Sequence, residues 1–224
     1  MTDVRWYGQS AFLLTGEDRR VFIDPFGEVS WLTTRGIEWH YPPITDVEAD
    51  LVLVTHDHLD HNAVDVIGGN PAIIRATGTH ESPVGEVVGI ASEHDAAAGT
   101  QRGANTIFRF TLDDVRIAHL GDFGQPALRP EQREALGAVD VLFVPVGGGA
   151  TLPPEDAARL VHEVAPRLVV PMHYRTKLVN FLEPPDAFLD AIGVEITRLT
   201  GNELSIEDHL GSELAVALLE PPDA

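Results

Sequence analysis

The segment "LVLVTHDHLDHN", Leu51 to Asn62, places His56, His58, Asp60 and His61 just after four apolar residues and a threonine. At this chain's His and Asp frequencies the pattern H-x-H-x-D-H should arise by chance on the order of one time in a thousand. Imidazole and carboxylate are the donors that zinc and similar divalent ions accept where no thiolate is available. Clustering alone does not make a site, because ligands must converge in space and some must come from elsewhere in the chain.

Other apolar runs supply them. His94 follows "VVGIAS", Asp122 follows "VRIAHLG" and His173 follows "LVVPM". Each lies just past a predicted strand, where open sheets place ligand sites. Together these residues offer five imidazoles and two carboxylates, enough for two divalent metal ions. Zinc is the default for that donor set, and manganese or iron is compatible with it. Two ions roughly 3.5 to 4 Å apart can hold a water between them, lower its pKa and polarise the bond under attack. Asp122 suits the bridging place, since each of its oxygens can face one ion.

The elements that must position these residues are legible in outline. "VRWYGQSAFLLTGEDRRVFIDP" reads as short strands in an antiparallel meander, ended by Asp24 and Pro25. Residues 26–49 carry Trp31, Trp39, His40, Tyr41, Pro42 and Pro43 without clear periodicity, which predicts a long ordered loop. Its aromatics can roof a pocket, pack against the fold or meet a second copy of the chain. "LVLV" is a strand, followed by a short helix around "NAVDVIGG" and strands at "AIIRAT", "EVVGIAS", "NTIFRFT" and "VRIAHLG". The second half alternates helices ("PEQREALG", "PPEDAARLVHEV", "PDAFLDAI") with strands ("DVLFVPV", "LVVPMH"), and closes on "EITRLT" and "ELAVALL". Meander and βαβ signals together predict a mixed α/β fold with helices covering sheet faces.

Composition narrows the function. The 224 residues suit one domain, residues 1–224, and 44% hydrophobic with 22% charged residues is the balance of a chain that folds on its own. The formal net charge is -20, from 15 Lys and Arg against 35 Asp and Glu. That field repels polyanions, which disfavours nucleic acid and leaves a small-molecule substrate as the expected partner. The absence of Cys removes disulfides, thiolate ligands and a cysteine nucleophile. No basic leader or membrane-length apolar run is present, so the expected location is cytoplasmic and no membrane partner is expected.

The motif "THDHLDH" with the later His94, Asp122 and His173 resembles the metallo-β-lactamase fold superfamily of hydrolases, over nearly the whole chain. The segments "SEHDAAAGTQRGANTIFRF", "VRIAHLGDFG", "VDVLFVPVGG" and "VVPMHY" further resemble the small hydrolases near the L-ascorbate-6-phosphate lactonases. The resemblance implies a four-layer αβ/βα sandwich, two mixed β-sheets flanked by helices, with the metals at one edge between the sheets. It implies that His56, His58 and His94 hold one metal, that Asp60, His61 and His173 hold the second, and that Asp122 bridges them. Asp24 matches a family acid that supports the ligands from behind. The chain shows no inserted nuclease domain and no sizeable C-terminal extension, departures that speak against RNA processing and glutathione-thioester hydrolysis.

Several other residues are candidates beside the ligands. Arg102 and Asn105 follow His94, and Arg102 could meet a substrate anion or form a salt bridge. His119 lies near Asp122, where it could support that residue, touch substrate or simply pack. Arg175 and Lys177 follow His173 and bring two cations close to the second metal position; a solvated loop is the competing reading. Asp57 is read as facing solvent or supporting the ligands from behind, and His80, His162 and His209 receive no role. The expectation is a dinuclear hydrolase in which a metal-bridging hydroxide attacks a small anionic ester, lactone or phosphodiester and Asp60 or a water returns the proton. The alternative is a metal-binding regulatory or scaffold protein without turnover.

Overall fold

A computed structural model describes residues 1–149 and 151–223, the side chains of Ser30 and Thr33 excepted. Strands β1 (Asp3–Gly8), β2 (Ala11–Thr15) and β3 (Arg20–Ile23) form the expected antiparallel meander. The short β4 (Val47–Glu48) precedes β5 (Leu51–Leu53), which lies parallel to β3. After β6 (Ile67–Gly68), which pairs with β4, β7 (Ala72–Ile74) adds to the other side of β5.

The second sheet begins with the hairpin of β8 (Gly78–Ser82) and β9 (Gly85–Glu93) and continues antiparallel through β10 (Ala104–Leu112) and β11 (Val115–His119). It then turns parallel with β12 (Val141–Pro145) and β13 (Leu168–Met172), and β14 (Glu195–Arg198) forms its far edge. β15 (Glu203–Ser205) returns to pair with β1, and β16 (Ala215–Leu218) inserts between β13 and β14. The result is a six-stranded sheet, β15-β1-β2-β3-β5-β7, facing an eight-stranded one, β14-β16-β13-β12-β11-β10-β9-β8.

Period-two alternation explains why the sheets stack. Val21, Ile23, Leu51 and Leu53 enter the main core with Ile107, Phe108, Ile117 and Phe143 of the second sheet. Phe22 and Val52, one residue out of phase, enter a smaller core on the opposite face. The Phe12 and Phe143 rings meet across the sandwich at 4.7 Å.

Helices α1 (Pro130–Leu136), α2 (Pro154–Val164), α3 (Asp186–Ile192) and α4 (Ile206–His209) follow the predicted positions, apart from α4, which the sequence reading did not anticipate. Pro154 opens α2 where a missing N–H costs nothing, and Glu155 and Asp156 complement the helix dipole. Its Ala157, Leu160 and Val161 are buried in the same core as β12 and α3. The helix expected around "NAVDVIGG" is only a 3-10 turn, Val64–Val66, because the following Gly68 and Gly69 end it and β6 takes over. The 26–49 segment contains a 3-10 helix, Ser30–Arg35, and β4. Phe26, Tyr41 and Ile44 from this segment pack on Phe22 and Val52, so it covers the outer face of the six-stranded sheet where helices were expected.

Chain direction decides where the site falls. β3 and β5 are parallel, and β9, β11 and β13 run in one direction in the second sheet. The residues that follow Ile23, Leu53, Glu93, His119 and Met172 therefore emerge at strand ends that can share one edge of the sandwich.

Candidate metal centre

Asp122 lies at the middle of the cluster. Its Oδ2 is 3.2 Å from His94 Nε2, 3.2 Å from His173 Nε2 and 3.5 Å from His61 Nε2. On the other side, His56 Nε2 is 3.0 Å from His58 Nδ1, and the His56 ring centroid lies 4.8 Å from that of His94. Asp60 Oδ2 is 3.7 Å from His61 Nε2. All seven sequence-derived ligand candidates thus come together.

Among the described residues, two sets of three ligand atoms lie within 4.8 Å of one another: His56, His58 and His94, and His56, His61 and Asp122. The first coincides with the triad implied for one metal. The second shares His61 with the other implied triad, but has His56 and Asp122 in place of Asp60 and His173.

The donor chemistry fits divalent ions. His61 Nε2 is buried and has no hydrogen-bond partner, although carboxylate oxygens of Asp60 and Asp122 lie beside it. Burial opposes charge on His61, yet Asp122, Asp60 and Asp24 together raise its pKa well above the ordinary value. Burial likewise opposes the Asp122 carboxylate, but His173 and His61 hold its pKa well below the usual range. Burial, reinforced by His61, lowers the pKa of His56, as suits a neutral ligand. A divalent ion would replace a proton in this cluster and satisfy the nitrogen that hydrogen bonding leaves unpaired.

One buried carboxylate orients two of the imidazoles. Asp24, wholly buried, accepts the backbone N–H of Thr55 at 2.8 Å and the Thr55 hydroxyl at 2.7 Å. It also meets His61 Nδ1 at 3.0 Å. The Thr55 hydroxyl, having given its proton to Asp24, can only accept from His56 Nδ1, 3.0 Å away. His56 therefore carries its proton on Nδ1 and presents the Nε2 lone pair, and His61 keeps Nδ1–H toward Asp24, so that the proton a metal ion would displace from it is the one on Nε2. Asp24 acts on His61 directly and on His56 through Thr55.

A similar support lies under Asp122. Asn105 accepts the Asp122 N–H at 3.0 Å and donates to Leu120 O and Ser92 Oγ, both at 2.8 Å. His119 donates from Nε2 to Ser10 O at 3.0 Å and accepts the Gly121 N–H at 3.1 Å, a neutral arrangement that burial favours by lowering its pKa. Both side chains are buried and committed to protein partners, so they position Asp122 and leave no face for substrate. Gly121, at φ +56°, leaves no room for a side chain, since a Cβ would sit 2.4 Å from Asn105 Oδ1.

The remaining candidates separate. Arg102 is exposed and borders a cavity shared with His56 and His58. Arg175 is exposed, and Lys177 pairs at the surface with Asp223, 3.5 Å away. Asp57 is exposed and pairs with Arg75 at 3.2 Å. His80 and His162 bond backbone carbonyls, at Ala76 and Ile192. Trp39 packs edge-on against Phe26 and Tyr41, so these aromatics form a cluster on the outer face of the sheet.

Sequence reasoning missed four residues at the site. Thr55 links Asp24 to His56, and Ser10 donates to Asp122 Oδ1 at 3.2 Å. Arg75 lines the cavity beside His58, and Asp95 organises the loop after His94. Thr55 and Asp95 each adjoin a ligand candidate in the sequence, which was the available signal. Ser10 and Arg75 come close only through sheet pairing.

Comparison with known proteins is consistent with this geometry. The model of the beta-lactamase superfamily domain matches residues 3–173. A UPF0173 metal-dependent hydrolase from Thermococcus kodakarensis is 32% identical over 236 aligned residues, covering 92% of this chain and 100% of that protein. A further UPF0173 metal-dependent hydrolase, from Thermus thermophilus, is 30% identical over 79% of this chain and 85% of its own. The crystal structure of a metallo-beta-lactamase superfamily protein from Thermotoga maritima aligns with a TM-score of 0.77 at 29% identity, covering 98% of this chain and 100% of that one.

Proposed function

Since the chain belongs to the beta-lactamase superfamily, and is a metal-dependent hydrolase of it, we propose that its histidine and aspartate cluster is a dinuclear centre hydrolysing a small anionic ester, lactone or phosphodiester. The observation that carries this reading is the approach of three imidazole nitrogens to the single buried oxygen Asp122 Oδ2, at 3.2 to 3.5 Å. No apolar or ion-pair role accounts for so many buried donors around one carboxylate.

His56, His58 and His94 would hold one ion and Asp60, His61 and His173 the other, with Asp122 shared. Bound there, two divalent ions, zinc by the donor set, supply Lewis acidity and a hydroxide nucleophile at neutral pH. The protein's part is to fix geometry and handle protons. Asp24 and Thr55 keep two lone pairs aimed inward, while Asn105, Ser10 and His119 keep Asp122 from turning. Asp60, only partly buried and beside His61, can reach solvent and return a proton to the leaving group. The acidic surface supports a small substrate over a polynucleotide.

The test is metal content of protein purified without chelator, with His56→Ala and His173→Ala variants beside it, followed by turnover of lactones, phosphodiesters and esters. Close to two ions per chain, partial loss in each variant and turnover that follows metal content are expected. Fewer than half an ion, not restored by zinc, manganese or iron, would mean the ligands do not converge in solution. Full metal with no turnover of any of these substrates would point to a metal-binding regulatory protein instead.

A further inference from the structure

A cavity of about 350 Å³ opens beside the metal ligands, lined by His56, Asp57, His58, Arg75, Arg102 and Thr106 among others. Two guanidinium groups in one cavity stand out in a chain of net charge -20. They come from different sheets: Arg75 follows β7, beside the strand that delivers His56, and Arg102 precedes β10 in the loop that leaves His94. The cavity therefore spans the same edge of the sandwich as the metal ligands.

The loop carrying Arg102 is held in one shape. Asp95 accepts four backbone N–H groups, from Ala97 at 2.8 Å and Gly99 at 3.0 Å on one oxygen, and from Gln101 at 3.0 Å and Arg102 at 2.8 Å on the other. Gly103 N–H donates to Gly99 O at 2.9 Å, and His94 N–H donates to Gly103 O at 3.1 Å, closing the loop onto a metal ligand. Gly99, at φ +73°, admits no side chain, since a Cβ would lie 2.9 Å from Gly103 O. The backbone of Arg102 is thus fixed relative to His94.

The two cations differ in how engaged they are. Arg75 pairs with Asp57 at 3.2 Å, but both side chains are solvent-exposed, so the pair is screened and easily exchanged. No ion pair engages the Arg102 guanidinium among the described residues; Arg20, Arg35, Arg175 and Arg198 share that state, but of these only Arg102 lines this cavity. An unpaired guanidinium on a rigid loop beside a reaction centre is suited to bidentate capture of an oxyanion.

We propose that this cavity is the anion subsite of the enzyme, where Arg102 and Arg75 hold a phosphate or carboxylate group of the substrate while its scissile bond lies over the metal ligands. The inference rests on the hydrolase reading and gives it a substrate class: a small ester or lactone with a separate, uncleaved anionic group. Arg102 supplies the fork, Arg75 leaves Asp57 to join it, and Asp95 acts only by positioning Arg102.

Calorimetric titration of inorganic phosphate into the full chain, metal-loaded and after chelation, tests this at low ionic strength. The parent is compared with Arg102→Ala, Arg102→Lys and Arg75→Ala. Phosphate should bind the parent in both forms, and each alanine variant should lose affinity by roughly tenfold or more. Lysine should recover part of the Arg102 loss, because it restores charge without the fork. Phosphate affinity that neither alanine variant changes, in either form, overturns the proposal, as does a parent that binds no phosphate in either form. Failure of the hydrolase reading is separate: metal-loaded parent would turn over none of the substrate panel, whatever the phosphate titration gives.

Discussion

Replacing Asp24 with asparagine should invert the proton positions on two of the proposed metal ligands while barely changing side-chain volume. In the parent, the Asp24 carboxylate accepts from Thr55 N–H, Thr55 hydroxyl and His61 Nδ1, at 2.8, 2.7 and 3.0 Å. With the amide carbonyl kept on Thr55 N–H, the amide nitrogen occupies the place of Oδ2 and donates to the groups that formerly donated to it. His61 must then accept at Nδ1 and carry its proton on Nε2. The Thr55 hydroxyl, now an acceptor from the introduced amide, turns its own proton toward His56 Nδ1, 3.0 Å away, so His56 also protonates Nε2. Losing such a supporting partner typically weakens metal binding about 10- to 100-fold, which is about 1.4 to 2.7 kcal/mol per ion. One ligand of each proposed ion is affected, so both ions should bind more weakly. Thr55→Val cuts only the branch to His56 and should weaken one ion, leaving the other near its parent affinity. Competition against a chelator of known affinity measures both, with near-UV circular dichroism to establish that each variant is folded. A folded Asp24→Asn protein that binds two ions with parent affinity would refute the reasoning. Should Asp24→Asn not fold, the one-ion effect of Thr55→Val carries the test alone.

Two further substitutions probe the framework. Asn105→Ala strips the hydrogen bonds to Asp122 N–H and Leu120 O in a buried site, which should destabilise the fold by about 2 to 4 kcal/mol and lower the melting temperature by about 4 to 16 °C. An unchanged melting curve would show that Asp122 is held by other means. Asp140 accepts Arg116 Nε at 2.7 Å and Nη2 at 2.8 Å, and that contact holds its pKa at about 2. Because the folded pKa lies below the unfolded value of about 3.9, the stabilisation is complete above about pH 4 and disappears as pH falls toward 2. With Arg116 half exposed, screening reduces it to about 1 kcal/mol. Melting temperatures of parent and Asp140→Asn should therefore differ near pH 6 and converge near pH 2, and a gap independent of pH would contradict the assignment.

The strands and the ligands were readable because both rest on local patterns. Apolar runs marked β3, β5, β11 and β13, and His or Asp followed each run within a few residues, so the candidates could be named before their convergence was visible. Short edge elements were not readable: "GTHES" in β8 and "ELS" in β15 have little apolar content, and pairing with β9 and β1 makes them strands. Packing against the fold was one of three readings open for the aromatics of residues 26–49, and the sequence could not choose it for a related reason. Phe26, Tyr41 and Ile44 bury against Phe22 and Val52 without any helical period, so nothing in the segment's own spacing announced the contact. Asn105 and His119 were legible as neighbours of the site, but their roles depended on which backbone groups of the Leu120 to Asp122 turn lay within reach.

The control of His56 and His61 by Asp24 follows from sheet register more than from the motif that first marks the site. β3 and β5 are parallel with Ile23 opposite Leu53, and Asp24 N–H extends the ladder to Leu53 O at 2.9 Å. Asp24 then leaves the sheet at φ +51°, a left-handed turn uncommon for a residue with a side chain, and its carboxylate caps the Thr55 N–H that ends the neighbouring strand. Once that cap forms, Thr55 Oγ1 and His61 Nδ1 share the second carboxylate oxygen. The proton positions on two proposed ligands are thus fixed by a strand that ends well before the motif begins. A shift of one residue between β3 and β5 would carry the carboxylate to the other face of the sheet. The same pairing that buries Val21 and Leu51 therefore also sets the ligand geometry, and substitutions that loosen this register should weaken metal binding before they unfold the chain.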